Sequence, residues 1–479
     1  MKATNRLILI YSAAVISAVY IASQSAYWQL VLCTIGIVYS ILLINNPKRI
    51  TLYLVIPLFL LAMYRASLDL TRYQRMQSFA QKEEIRIIGK VIDLYDNTCI
   101  VEAENINREK VKGNVRIWSS DGFDLEIGDK IIADINPQVD TKPKFYGAFD
   151  NIKQNLSLHQ YIFGFSKSYE VINKSNSFMK WIYEFRQNMK DRFAQLFPEA
   201  EANMAKALFF GDTSGFDNQT KQEVQDSGAS HIFAISGQNL SIISLIVMLL
   251  LGKICKGSKT KNIISITAIV LFTILVGYSA SVLRSAIMII KYLSEFLVNR
   301  RDEPIDSVFF SVIIVLLLFP FALFTPNFLL SYSAVLGILL LASPFLKVEV
   351  KWKRLWGMVL SGIAAVMASS IFLAYFFKAV NLTSIWSSVI LEPVVTLALC
   401  GILLISIFPF LASLFTGITY LCLHYTYTFI EKLSATKVII YTGTPQFIEI
   451  ICFGFIIYFM HVIIEKGIVP WLNNQLKES

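Results

Sequence analysis

From residue 229 to its end the chain is almost continuous apolar sequence, cut by short polar segments into runs about twenty residues long. Inside hydrocarbon every backbone N–H and C=O must find a partner within the protein, so such runs fold as membrane-spanning helices. The candidate spans are 231–251, 262–282, 283–298, 307–325, 328–346, 355–377, 384–407, 410–430 and 448–465. Runs at 7–23, 28–44 and 50–67 precede them, and the expectation is a polytopic α-helical membrane protein of about twelve helices. Charged residues are 16% of the chain, against about 25% in an ordinary soluble domain, which excludes a soluble enzyme.

Loop charge orients the bundle. Lys253, Lys256, Lys259 and Lys261 follow one run, Arg300 and Arg301 another, and Lys347, Lys351, Lys353 and Arg354 a third. Lys48 and Arg49 lie between the second and third runs. If every run spans, these cations share one side, the cytoplasmic side by the positive-inside rule. Both termini are then cytoplasmic, and the hydrophilic stretch after residue 68 is extracytoplasmic. The first run follows Lys2 and Arg6 like the start of a signal peptide, but it lacks a small-residue cleavage site and reads as a retained span. A net charge of +9 is accounted for by this loop charge, or by an anionic polymer as partner, and charge alone does not choose between them.

Four layers follow: N-terminal helices over 1–68, a β domain over 69–175, an amphipathic helical linker over 176–227 and a transmembrane domain over 228–479. In the β domain, apolar and polar residues alternate over 85–92, 98–103, 111–118 and 130–135, with a last strand through Tyr169 to Ile172. Asp96-Asn97, Asp121-Gly122, Gly128-Asp129 and Asn136-Pro137 supply the turns. Short period-two strands at this spacing indicate a small antiparallel barrel of OB type. From 178 the period becomes helical: Phe178, Ile182, Phe185, Met189, Phe193 and Leu196 share a face, with Lys180, Arg186, Lys190 and Arg192 between them. That helix lies on the membrane surface or packs on the barrel. Cys99 is alone in the soluble segment, and none of the HxH, HxxxH, CxxC and HExxH spacings occurs, so neither a disulfide there nor a metal or other cofactor is expected.

Two polar stretches enter spans. Ser227-Gly228-Ala229-Ser230-His231-Ile232-Phe233-Ala234-Ile235-Ser236-Gly237-Gln238-Asn239 runs directly into apolar sequence. Such groups line a wet cavity through a broken helix, or they form a small-residue packing patch with an interhelical amide bond. Ser281, Arg284 and Ser285 form the second stretch, where a guanidinium costs roughly 2.5–3.5 kcal/mol at mid-span unless it pairs, faces water or snorkels to the interface. Lys291 and Glu295, four residues apart, can pair on the same face. His231 and Ser236, five apart on a helix, point to different faces with no acid to orient the imidazole, which argues against nucleophilic catalysis.

These stretches resemble the ComEC family of competence DNA channels. The resemblance rests on Gly211-Asp212-Thr213-Ser214-Gly215, on Ser227 to Gly237, on Ser281 to Met288, and on Phe328-Leu329-Leu330-Ser331-Tyr332-Ser333-Ala334-Val335-Leu336-Gly337 in that order. Arg300 to Asp306 resembles a family loop, and Gly147 to Asp150 resembles the end of its OB region more weakly. The resemblance implies an inner-membrane channel that passes single-stranded DNA into the cytoplasm during natural transformation. His231, Ser236, Gly237, Gln238, Asn239, Ser281, Arg284 and Lys291 would then line the pore. Arg116, Trp118, Lys142, Lys144 and Tyr146, with Phe149 and Tyr161, are candidate strand contacts on the barrel, although several of them also suit its core.

The chain departs from the family in two ways. Gln238-Asn239 stands where members often carry His, and the metallo-β-lactamase-like domain of many members, with its HxHxDH motif, is not found before Ser479. Nuclease activity is therefore not assigned to this polypeptide, and the expectation is a non-enzyme. The resemblance implies a DNA receptor, membrane lipids and a cytoplasmic ATPase or helicase as partners, the chain carrying no GxxxxGK[ST] motif of its own, with a pore of one chain or a homodimer. A secondary transporter for a small or lipid-linked anion and a membrane hydrolase using Ser236 are the alternatives.

Overall fold

The computed structural model describes residues 3–23, 55–95, 97–140, 150–174, 178–234, 237–254, 257–277, 279–298, 303–348 and 353–478. The expected run at 28–44, the segment with Lys142, Lys144, Tyr146 and Phe149, and Ser236 lie outside them, as does the side chain of Gln238. The chain forms two compact units, Met1–Asn188 with Val312–Thr325, and Met189–Ser311 with Pro326–Ser479.

In the first unit α1 (Ala3–Ala22) packs on α2 (Val55–Ala80). The boundary expected at residue 69 falls inside α2, because no Gly or Pro between Leu58 and Ala80 stops the helix. Its Ala66, Tyr73, Met76 and Ala80 recur at helical spacing and join the core of the β domain. Arg65 donates to the carbonyls of Leu317 (3.2 Å) and Leu318 (3.3 Å), capping a helix end that the following Phe319-Pro320 cannot continue.

The β domain is a closed barrel of β1 (Ile85–Tyr95), β2 (Thr98–Ile106), β3 (Glu109–Trp118), β4 (Lys130–Gln138) and β5 (Gln160–Asn173) in the order β1-β2-β3-β5-β4. All pairings are antiparallel except β3 with β5. This is an OB-like arrangement, and closure leaves no free sheet edge. In β3, Val111, Gly113, Val115 and Ile117 point inward, whereas Lys112, Asn114, Arg116 and Trp118 point outward. The strand expected at 169–172 is the last part of β5, which starts at Gln160, after α3 (Asn151–Ser157) capped by Asp150. α4 (Phe178–Leu196) follows, with Phe178, Trp181 and Phe185 exposed and stacked along it at centroid spacings of 6.0 and 5.7 Å.

The second unit holds α5 (Glu199–Phe210), α6 (Asn218–Asp226), α7 (Ser230–Phe233), α8 (Gly237–Ile254), α9 (Ser258–Val276), α10 (Ala280–Val298) and α11 (Pro304–Leu318), whose last residues belong to the first unit. Then come α12 (Pro326–Gly337), continued by a π turn and a 3-10 turn to Lys347, α13 (Lys353–Phe377), β6 (Ala379–Asn381), α14 (Thr383–Ile407) and α15 (Ala412–Ser434). β7 (Ile439–Tyr441) pairs antiparallel with β6, and α16 (Phe447–Ile463) and α17 (Val469–Glu478) end the chain, joined by a π turn. One core gathers Phe193, Leu208, Leu240, Val282, Leu391 and Leu423 from α4, α5, α8, α10, α14 and α15.

Among the described residues, five helical segments are long and apolar enough to cross a membrane: Lys259–Val276, Pro326–Lys347, Trp356–Phe377, Thr383–Ile407 and Ile448–Gln475. Ile10–Tyr20, Asn239–Leu249 and Pro304–Leu318 are shorter apolar helices. The structure is thus a membrane protein with a barrel domain, and its described spans fall short of the twelve expected. The run at 231–251 is broken before Gly237, and the run at 307–325 ends as a helix at Leu318. Leu249, Leu397 and Phe455 are each at least 60% exposed on these helices, as lipid-facing side chains are.

Candidate functional site

The polar stretch that enters the bundle folds as a corner. α6 ends at Asp226, Gly228 takes a left-handed conformation (φ 71°), α7 makes one turn, and α8 starts afresh at Gly237. A side chain at Gly228 would also collide with Ser384, whose backbone N and Cα would lie 2.7 Å from its Cβ. The corner is anchored to the start of α14: Ser387 donates to the Ser227 carbonyl, and Asn381 Nδ2 donates to the carbonyls of Gln225 (3.0 Å) and Asp226 (2.9 Å). Lys437 pairs with Asp226 at 2.8 Å. His231 is held between the Gly228 carbonyl (Nδ1, 2.9 Å) and Ser388 Oγ (Nε2, 3.0 Å). A carbonyl can only accept, so Nδ1 donates to Gly228, and the imidazole ties the corner to α14 through Ser388.

Arg284 of α10 is only 7% exposed. Its Nε donates to Ser331 Oγ at 2.8 Å, Nη1 lies 3.7 Å from Met288 Sδ, and the guanidinium carbon is 5.7 Å from the centre of the Tyr332 ring. Ser331 also lies 3.2 Å from Ser281 Oγ, and Tyr332 donates to Ser311 at 3.1 Å. The start of α8 lies against this group: a methyl on Gly237 would sit 2.8 Å from Ser285 Oγ and 3.9 Å from Arg284 Nη2. Gly237, Ser281 and Arg284 are therefore brought together, with Ser285, Ser331, Tyr332 and Ser311 beside them. Ser331 and Tyr332 lie in the fourth resemblance motif, where a Ser-Tyr pair inside apolar sequence was the available signal.

The other candidates are placed apart from that cluster. Asn239, 6% exposed, donates to the Leu208 carbonyl at 3.0 Å and so joins α8 to α5. Beside it lies a cavity of about 10 Å³ between Phe209, Ile242, Phe272 and Leu403, room for about one water. Lys291 pairs with Glu295 at 2.7 Å and bonds Ser307 at 3.1 Å, both charged side chains being 12% exposed.

The Gly-Asp-Thr-Ser-Gly loop ends α5, with Gly211 in the left-handed C-cap (φ 68°). Asp212 accepts from the Ser214 amide at 3.0 Å and from Lys190 Nζ of α4, and Asn203 donates to the Gly215 carbonyl at 2.9 Å. Burial opposes the charged form of Asp212, but the bonds from Lys190 and Ser214 outweigh it and hold the carboxyl down at about 2.

On the barrel, Arg116 and Trp118 face outward opposite Phe163 and Phe165, their neighbours in register on β5. The Arg116 guanidinium is 4.9 Å from the Phe163 ring centre, and Trp118 meets Phe165 edge-on at 5.6 Å. Arg116 Nε is without a hydrogen-bond partner among the described residues, and Phe165 is 40% exposed. An exposed aromatic surface beside a guanidinium is what backbone-and-base contact to a single strand requires. Phe163 and Phe165 escaped the sequence reading because Tyr161-Ile162-Phe163 does not alternate. Tyr161 itself is in the barrel core, 3% exposed. Among the described residues no group of three or more His, Cys, Asp or Glu side chains is arranged to hold a metal ion.

Compared with known proteins, residues 208–467 match the profile of a family described as Competence protein. Over 274 residues the chain is 24% identical to the ComE operon protein 3 of Bacillus subtilis (strain 168), a stretch covering 56% of this chain and 35% of that protein. The chain thus spans about a third of that relative's length. No solved structure matches.

Proposed function

The chain belongs to the competence protein family, and from that premise we propose that it passes single-stranded DNA across the plasma membrane into the cytoplasm. The barrel, extracytoplasmic by the loop-charge argument, receives the strand on the Arg116–Trp118–Phe163–Phe165 face, and the helical unit conducts it. A phosphate backbone crossing a bilayer needs fixed cations that are not already neutralised by protein carboxylates.

The observation that carries this reading is Arg284, a guanidinium inside the apolar unit whose described partners are hydroxyls, a thioether and an aromatic face, with no carboxylate. Lys291, by contrast, already has Glu295. The space beside Asn239 holds about one water, so passage requires the helices around it to part. Force comes from a partner ATPase or helicase, and an external receptor delivers the strand.

The test is uptake of labelled DNA by a deletion strain carrying the full chain, scoring surface-bound and internalised label separately. Arg284→Ala is expected to insert normally, keep surface label and lose internalised label. Internalisation at the wild-type rate by an inserted Arg284→Ala chain overturns the channel reading.

A further inference from the structure

Pro344 and Pro470 stand at matching places in two helices. Each follows a π turn by two residues, Ile338–Ala342 where α12 continues and Ile464–Ile468 between α16 and α17. In each turn a backbone bond reaches five residues back, Ser343 to Ile338 and Val469 to Ile464. A proline gives no N–H to the carbonyl one turn before it, so the helix widens and an acceptor is left over. The two turns share one apolar core, in which Leu341 and Ala342 meet Ile457, Ile464 and Val469.

His461 joins them. Its Nδ1 donates at 2.8 Å to the carbonyl of Leu340, the residue one turn before Pro344, and its Nε2 lies 3.3 Å from Glu465 Oε2. A carbonyl and a carboxylate only accept, so both ring nitrogens need a proton for both contacts to be favourable. The neutral ring carries one. His231 differs, because its Nε2 meets a hydroxyl that can donate to it. Lys347, at the end of the 3-10 turn, competes for Glu465 through the other carboxylate oxygen, at 3.5 Å. Water reaches the pair, the side chains of His461 and Glu465 being 20% and 45% exposed. The other titratable groups on the elements packed here are Tyr458 of α16, whose ring centre is 6.5 Å from that of His461, Lys466 in the second π turn, and Lys353 and Arg354 at the start of α13; α17 carries none before Lys477.

We infer that His461 is a proton-operated clamp between the two π turns: protonated, it binds the Leu340 carbonyl and Glu465 together, and neutral, it keeps the carbonyl and leaves Glu465 to Lys347. Imidazole is the side chain that exchanges its second proton near neutral pH, so the clamp closes with acid and opens with base. α12 also carries Ser331 and Tyr332, the neighbours of Arg284, about two turns before its π turn. The clamp's bearing on strand passage, through α12, rests on the channel reading; the clamp itself does not.

The experiment follows amide hydrogen exchange of the purified full chain in detergent by mass spectrometry, at about pH 6 and about pH 8, with rates corrected for their intrinsic pH dependence. Peptides over 338–347 and 461–469 are expected to exchange about threefold more slowly at the lower pH, the size of a half-exposed ion pair. In Glu465→Gln the amide donates to the neutral ring, so both peptides should be protected equally at the two pH values. His461→Gln should abolish the pH difference. No difference in the wild type, the same difference in Glu465→Gln, or an equal difference in peptides of β2 overturns the clamp. If His461→Gln fails to fold, Glu465→Gln decides alone.

DNA uptake separates this inference from the channel reading. A wild-type chain that imports DNA but shows no exchange difference sinks the clamp and leaves the channel standing. A wild-type chain with the exchange difference that imports none does the reverse.

Discussion

Asp212→Asn tests whether the Gly-Asp-Thr-Ser-Gly loop is a clamp. Asp212 and Lys190 lie in one unit, with side chains 23% and 20% exposed, so solvent screens them only in part. Holding this carboxyl at about 2 against an ordinary 3.8 corresponds to about 2 kcal/mol in favour of the folded charged form. Asn retains an acceptor for the Ser214 amide but turns a neutral amide toward Lys190, so most of that stabilisation is lost at neutral pH. Because the folded value is depressed, the contribution is fully present above about pH 4 and disappears as pH falls through about 2. The assay is thermal unfolding of the detergent-solubilised chain for wild type, Asp212→Asn, Lys190→Met and the double variant. At neutral pH the single variants should melt a few degrees low, and the cycle should show a coupling of about 1–2 kcal/mol. On acidification toward pH 2.5 the wild type should lose more than Asp212→Asn. Additive single effects, or an Asp212→Asn chain that melts with the wild type at pH 7, would refute the clamp.

Three other outcomes follow from the same geometry. Lys291→Met should lower the melting temperature by removing the cation 2.7 Å from Glu295, and adding Glu295→Gln should restore part of the loss; equal melting of single and double variants rejects the pair as self-neutralising. Gly237→Ala should cost about 1–3 kcal/mol, because its methyl would lie 2.8 Å from Ser285 Oγ. Ser285→Ala should rescue it, since the next atom, Ser285 Cβ, is 3.4 Å away; failure of the rescue places the strain elsewhere. Trp118→Ala and Phe165→Ala should each weaken binding of an oligothymidylate to the full chain by about 1–3 kcal/mol in fluorescence anisotropy, with melting unchanged, and unaltered affinity in both removes that face as the strand platform.

Much of the fold was legible because its periods are local. The alternation through Val111, Val115 and Ile117 marks an inward strand face without knowledge of its partners, and Lys291 with Glu295 pairs by spacing alone. What stayed hidden depends on long-range pairing or on the absence of a stop. The Arg116–Phe163 contact exists because β3 and β5 run side by side, which no local pattern announces. The continuation of α2 through Asp69 and Arg72 shows that a change of polarity is not a helix end when no breaker accompanies it. In the bundle, Arg284 stood out as a cost in an apolar run, whereas Ser331 and Tyr332 became its neighbours only once α10 and α12 were packed.

The contrast between the two cations of α10 also bounds how strongly the proposed channel would hold a strand. Lys291 is neutralised from within the same helix and offers an incoming phosphate little, since binding there would have to displace Glu295. Arg284 has hydroxyl, thioether and aromatic partners, and no carboxylate among the described residues. A charge-assisted hydrogen bond contributes only about 1.5–3 kcal/mol. An isolated phosphate should therefore bind only weakly. In the proposed channel that weakness would suit conduction, since a polymer advancing one phosphate at a time needs a position favourable enough to enter and shallow enough to leave. An acid introduced opposite Arg284, as in Ser331→Asp, should stabilise the resting protein while depressing strand entry, because it supplies permanently the charge that the passing phosphate would bring.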